Sequence, residues 1–342
     1  MNTRRKLIVA RGVGAILPPA VIVSLAICAL LCTPSPAAAQ VREKLPRIAI
    51  LEPGRTPGGG CLAGFHQGLR DLGYIDGKTV TIDARFADEN PNRVSQLAAE
   101  LVQRSPDVLW THSPQGARLA RQASTTVPIV IGVGGNLVEQ GLATSLARPG
   151  GNVTGFELAD IELAGKRLQL LKEAIPTIDR VAVLVDPSAR SYDSVPGNIE
   201  PEARKLRIQV MRVEAGSPEA FEAAFAAMAR GRADALMIMD LPLFVRNSPR
   251  LMELAIQHRL PTMSGWQRYA EAGSLVSYGA NLPDICKRSA GYVDKIVKGA
   301  KPSDLPVQLP DRFELIINQR TAKALGIKVP QSILIQATKV IE

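Results

Sequence analysis

RPGGNVTGF, residues 148–156, is the stretch on which the reading of this chain turns. Pro149, Gly150 and Gly151 punctuate the end of what precedes them. Val153 and Thr154 favour extended backbone and Gly155 follows at once, so the segment is a short extended piece with a soft point on each side. A complete α/β half can be read on either side of it. It is therefore expected to cross between two lobes and to floor a cleft between them.

Upstream, RIAIL (residues 47–51) reads as a buried strand that leaves through EPGRTPGGG. CLAGFHQGLRDLGY then spaces Leu62, Phe65, Leu69 and Leu72 as a helix does, and Gly73 ends it. TVTIDARF alternates as a strand, NPNRVSQLAAELVQRS is helical with Pro91 near its start, and PDVLWT is a third strand. HSPQ turns into the helix GARLARQAS, and VPIVIGV is a fourth strand leaving through GGN. Strands alternating with helices at this spacing imply a parallel sheet covered on both faces. Ligands meet such sheets at the carboxyl ends of the strands, here the loops 52–60, 111–115 and 132–136.

Downstream the pattern repeats without sequence repetition. ADIELAGKRLQLLKEAI is an amphipathic helix with Ile161, Ala164, Leu168 and Leu171 on one face, and RVAVLVD is a strand ending at Asp186. RIQVMRV and ADALMIM are further strands, with SPEAFEAAFAAMARG between them as a helix and SPRLMELAIQHRL as another after DLPLF. PTMSGW is a short strand and turn, GSLVSYG a second crossing, NLPDICKRSAGYVDKIVKGA a long helix, and KPSDLPVQLPDRFELIIN a third extended passage. The expected architecture is thus α/β, with two doubly wound parallel-sheet lobes joined by three crossings near Val153, Val276 and Leu305. Residues 46–152 plus 279–303 form lobe 1, and 153–278 plus 304–342 form lobe 2 with the C-terminal segment.

The first 39 residues stand apart. MNTRRKLIVAR is cationic, an apolar stretch interrupted by Pro18 and Pro19 follows, and TPSPAAAQ offers an Ala37-x-Ala39 cleavage site. The unbroken apolar run from Ala20 to Cys32 is short for a membrane span, so a secretory signal cut after Ala39 is expected, with a retained anchor as the alternative. Setting aside Arg4, Arg5, Lys6 and Arg11 lowers the formal charge from +9 to +5. The remaining cations are dispersed and form no nucleic-acid arm. Two cysteines then remain, Cys61 and Cys286; export permits a disulfide, but two cysteines 225 positions apart make no framework, and buried free thiols are the expectation.

Catalytic chemistry finds little support. Of three histidines, His66 and His258 fall in helices and His112 in a cleft loop, and no H-E-x-x-H, C-x-x-C or G-x-S-x-G motif is present. The glycines at 58, 59, 60 and 64 do not fit a dinucleotide fingerprint. HSPQGA is more useful: Ser113 and free amides at a helix start attract an anion such as a carboxylate, or the serine simply caps the helix. Gln115, Gly135 and Asn136 extend that wall. Opposite, Asp186 and Asp240 end strands where an ammonium could meet them, and Tyr192 and Trp266 could cover an apolar or aromatic group. Anion donors on one wall and carboxylates on the other suit a zwitterion.

The phrases GFHQGLRDLGYIDGKTVTIDARFAD, SLARPGGNVTGF, GKRLQLLKEAIP, RVAVLVDP and HRLPTMSGWQRYAEAGSLVSYG resemble the ABC-transporter substrate-binding protein family, whose members are of tryptophan/tyrosine type or unassigned. The resemblance runs from about Pro46 to Glu342 and implies the type I periplasmic-binding-protein fold. It also implies a receptor without catalysis or cofactor, monomeric and periplasmic, that hands a small solute to an inner-membrane permease. The family's G-T-P falls on His112, Ser113 and Pro114, so histidine stands where the family has glycine. Its N-P appears as Asp186-Pro187, and its D-P-L-F as DLPLF, containing Asp240. Rival expectations are a ligand-sensing module for a membrane receptor, a repressor-type sugar-sensing domain, and a secreted hydrolase. The export signal and the missing nucleophile constellation argue against the last two.

Overall fold

The computed structural model describes residues 45–54, 60–88, 90–158, 162–188 and 195–342; the expected signal segment lies outside them. β1 (Arg47–Glu52) is buried along nearly its whole length, as the centre of a parallel sheet requires. It pairs in parallel with β2 (Thr81–Phe86) on one side and β3 (Val108–Thr111) on the other. β4 (Ile129–Gly134) and β5 (Val153–Glu157) complete a five-stranded parallel sheet of order β2-β1-β3-β4-β5. The period-two alternation of strand side chains supplies both faces. Ile48, Ile50, Trp110 and Val130 pack with α1 (Gly60–Asp71) and with a helix at Leu282–Val297. Ala49, Leu51, Leu109 and Ile131 pack with α2 (Pro91–Gln103) and α3 (Pro114–Ala123).

Residues 153–157 are therefore not the first of the second lobe but the last strand of the first. Every one of them is buried. Thr154 Oγ1 donates to the Leu305 carbonyl at 2.6 Å, and Gln308 N donates to the Gly155 carbonyl at 2.9 Å. Gly155 has φ +134°, and a Cβ there would stand 2.1 Å from the Ile131 carbonyl oxygen, so only glycine lets β5 lie this close to β4. The crossing begins after Glu157. Residues 305–308, expected with lobe 2, run beside β5 in lobe 1, held by the Thr154 and Gln308 bonds and by Glu157 N donating to the Gln308 carbonyl at 2.9 Å.

The second sheet is built from β6 (Arg180–Val185), β7 (Gln209–Glu214), β8 (Ala235–Ile238), β9 (Thr262–Ser264) and β10 (Val276–Ala280). α4 (Ala164–Ala174), α5 (Val195–Leu206), α6 (Phe221–Arg230), α7 (Pro242–Arg246), α8 (Ser248–Gln257) and α9 (Gln267–Ala272) alternate with these strands. The chain then enters lobe 1 as α10 (Leu282–Val297) and returns as β11 (Phe313–Asn318), followed by α11 (Gln319–Leu325), α12 (Gln331–Gln336) and β12 (Lys339–Ile341). The order is β12-β11-β10-β9-β8-β6-β7. β11 runs antiparallel to β10, and β12 parallel to β11, so this sheet is not parallel throughout. The cause is topological: β10 leaves at its carboxyl end, and the chain comes back from that same end.

Lobe 1 is fastened where α1 lies against α10. A Cβ at Gly64 would stand 2.2 Å from the Pro283 carbonyl oxygen, and one at Gly68 2.2 Å from that of Lys287. This stripe of glycines lets the two backbones touch. Cys61 and Cys286, expected as free thiols, form a disulfide across the contact, with Cα atoms 5.2 Å apart. A separation of 225 residues carries no local signal of this pairing; the return of α10 to lobe 1 creates it.

Candidate functional site

β5 and β10 both pass the chain across from their carboxyl ends, so the strand ends of the two sheets border the crossings. On the first wall, Glu52 ends β1 and is 5% exposed. His112 follows β3 with its side chain 37% exposed, and its Nδ1 lies 2.6 Å from Glu52 Oε2. Burial pushes the imidazole pKa down, but contact with the carboxylate and its charge more than reverse this, so the pKa lies above its ordinary value. Beneath the pair, Phe65 and Trp110 stack at 4.0 Å, and Trp110 Nε1 donates to Ser289 Oγ at 2.8 Å. Glu52 Oε1 is buried and accepts no hydrogen bond from any described group.

Ser113 is the N-cap of α3, its hydroxyl accepting from Gly116 N at 3.2 Å. Gln115 is the second residue of α3 and half-buried. Asn136 adopts φ +50°, and its amide donates to Glu139 Oε2 at 2.9 Å, while a Cβ at Gly135 would meet open space. Glu157 ends β5 and accepts from Leu137 N at 2.7 Å. Burial raises its pKa, against the pull of that hydrogen bond and with help from Glu162 and Glu139.

The second wall departs from the sequence reading. Asp186 accepts from Ser188 N at 2.8 Å and Ser188 Oγ at 2.7 Å, which closes a turn after β6. Asp240, expected to meet an ammonium, has a fully buried side chain paired with Arg167 of α4: Arg167 Nη2 lies 3.0 Å from Asp240 Oδ2. Gly265 N donates to Asp240 Oδ1 at 3.2 Å, and Arg167 Nε donates to the Tyr278 carbonyl at 2.8 Å. A Cβ at Gly265 would lie within 2.2 Å of both charged groups. The pair thus ties α4 to β8, β9 and β10 beneath the wall. Tyr192 lies outside the described residues. Trp266, at the start of α9, packs against the apolar cores of both lobes. Its Nε1 is buried and donates to no described group.

A family model described as ABC transporter substrate binding protein matches residues 59–341. The chain belongs to this family. Among its relatives, a tyrosine-binding protein of Clostridioides difficile (strain R20291) is 26% identical over 265 residues, covering 78% of this chain and 76% of the relative. A Streptococcus pneumonia ABC domain solved in complex with L-Trp superposes with TM-score 0.79 at 23% identity, over 87% of this chain and 100% of that one. A conserved domain protein from Vibrio cholerae gives 0.78 at 27% identity, with the same coverage. The fold is accordingly the two-lobed α/β fold of these binding proteins. Among the described residues no helix is long and apolar enough to cross a membrane.

Three residues of the site were absent from the sequence list of candidates: Glu52, Glu157 and Arg167. Glu52 stands inside a loop the sequence marks as cleft-lining, and a charge closing the otherwise apolar IAIL is its signal. Arg167 falls three residues after Ala164 and one before Leu168, on the apolar face of its helix, and that misplaced cation is also visible in the spacing.

Proposed function

We propose that this family member is the exported solute-binding component of an ABC importer. It captures a small molecule, an amino acid or aromatic compound, between its lobes and hands it to an inner-membrane permease. It acts in the periplasm as a monomer after cleavage following Ala39, without cofactor or catalysis of its own. His112, Ser113, Gln115, Gly135 and Asn136 line one wall; Asp186 and Trp266 line the other. Closure bends the chain after Glu157, after Ala280 and after Gln308, where it leaves one sheet for the other. The observation that carries this reading is Trp266, an indole on lobe 2 that also touches the core of lobe 1. The naming of relatives for tyrosine and L-Trp supports the aromatic class.

The test is a thermal-shift screen of the mature protein against amino acids and aromatic acids. A bound solute at 100 times its Kd adds about 2.7 kcal/mol of stability. Trp266→Ala is expected to remove most of the shift given by the best aromatic solute. Turnover of a substrate by the purified protein, or a scattering curve unchanged by every stabilising solute, would defeat the proposal.

A further inference from the structure

In the first sheet β2 lies on one side of β1 and β3 on the other, so the loops after β1 and β3 part to opposite faces. Doubly wound sheets bind their ligands in the crevice at that point. Glu52 and His112 are the residues that occupy it here. The two oxygens of Glu52 are not equivalent. Oε2 lies 2.6 Å from His112 Nδ1, whereas Oε1 is buried and has no donor among the described groups. A carboxylate oxygen held in this way is a standing cost to the protein without its solute, because burial has removed water and supplied no replacement.

Among the described residues, the opposite wall offers no comparable acceptor. Asp240 is engaged by Arg167 and Gly265, and Asp186 Oδ1 by Ser188. The division read from the sequence, a carboxylate held on lobe 1 and an ammonium on lobe 2, therefore lacks its second half. Lobe 1 alone carries both polarities within one crevice: the Glu52 oxygen as acceptor, and the His112 imidazole beside the amino end of α3 as the cationic side. An α-amino acid carries its ammonium and carboxylate on one and the same carbon, which matches one crevice better than two walls.

We propose that Glu52 is a specificity-determining residue whose Oε1 accepts a charge-assisted hydrogen bond from a cationic amine of the solute, with His112 holding the other oxygen in place. This rests on the reading of the protein as a solute receptor and assigns the amine end of the solute to lobe 1, leaving its side chain for Trp266. Glutamine at position 52 keeps the shape and removes the charge that the amine reads.

Isothermal titration of the mature protein with L-tryptophan and with indole-3-propionate, which lacks the amine, tests the assignment. Wild type is expected to favour L-tryptophan by about 10- to 100-fold. In Glu52→Gln that preference shrinks to a few-fold, through weaker L-tryptophan binding with indole-3-propionate unchanged. His112→Asn, which leaves the Glu52 charge in place, retains a preference for the amine. Equal weakening of both compounds in Glu52→Gln, or an undiminished preference, overturns the proposal. Should Glu52→Gln fail to fold by circular dichroism, equal affinity of wild type for the two compounds overturns it. A wild type stabilised only by solutes without an amine overturns the Glu52 assignment while leaving the receptor reading intact.

Discussion

The two lobes each place an acid–base pair at the carboxyl ends of central strands, and the pairs differ in almost every physical respect. Arg167 and Asp240 are wholly buried, with side chains at 0% exposure, and they join a helix to three strands. Glu52 and His112 join two neighbouring strand ends, and the His112 ring is 37% exposed. An arginine cannot give up its proton in a protein, so the cation of the first pair is permanent. A histidine can, so the second pair is conditional. The difference teaches that strand-end carboxylates in one fold divide between scaffold and reader, and that the division follows from which cation the packing delivers.

The comparison breaks most visibly on the scaffold side. Arg167→Met leaves Asp240 buried without its cation, and a loss of about 3–5 kcal/mol is expected in urea denaturation. Replacing both members by apolar residues of similar volume should recover most of that loss. If Arg167→Met costs under about 1 kcal/mol, the pair is not the scaffold described here. The corresponding fastening of lobe 1 is covalent. Exchanging Cys61 and Cys286 for alanine is expected to cost about 2–4 kcal/mol by the same measurement, with solute affinity unchanged.

A smaller effect sharpens the contrast further. Gly64→Ala drives a Cβ toward the Pro283 carbonyl and should cost about 1–3 kcal/mol by forcing α1 from α10. Retention of full stability would mean that the helix contact yields freely. The smallest effect is the titration of the reader. Because the His112 pKa is raised in the folded protein, its pairing contributes stability that is complete below the unfolded value of about 6.5 and is lost as pH rises through the folded value. The difference between wild type and His112→Asn, followed by denaturation across pH, isolates this contribution. Glu157, whose pKa is also raised, acts in the same direction. His66, whose pKa is lowered by burial and by Arg70, acts in the opposite one. A wild type and a His112→Asn variant with parallel pH profiles would show that the pair does not titrate.

How far the site was legible follows from how local each signal is. Ser113 reads as a helix cap from HSPQGA because the cap lies three residues from the amide it serves, and the structure has it so. The charge at Glu52 is equally visible, but its meaning depends on His112, sixty positions later, whose side chain reaches it only because β1 and β3 are neighbours. Asp240 misleads for the same reason. Nothing near DLPLF announces that a helix more than seventy residues earlier supplies its partner. The assignment of residues 153–157 fails on a subtler point: an extended segment between turn residues is the same string whether it crosses between sheets or pairs with one, and Gly155 decides it by admitting β4.

The sequence by itself determined the alternation of strands and helices and the two halves, but not the crossings, which it set near Val153, Val276 and Leu305: Val153 lies in β5, Val276 in β10, and Leu305 beside β5. The alternation and the halves are set by hydrophobic period and turn chemistry, which act over a few residues. Only the tertiary structure decided the disulfide, the burial of Asp240, the uncommitted oxygen of Glu52 and the seat of β5. Each of these depends on two segments far apart in the chain arriving within a few ångströms, and that distance is fixed by the packing of the whole fold.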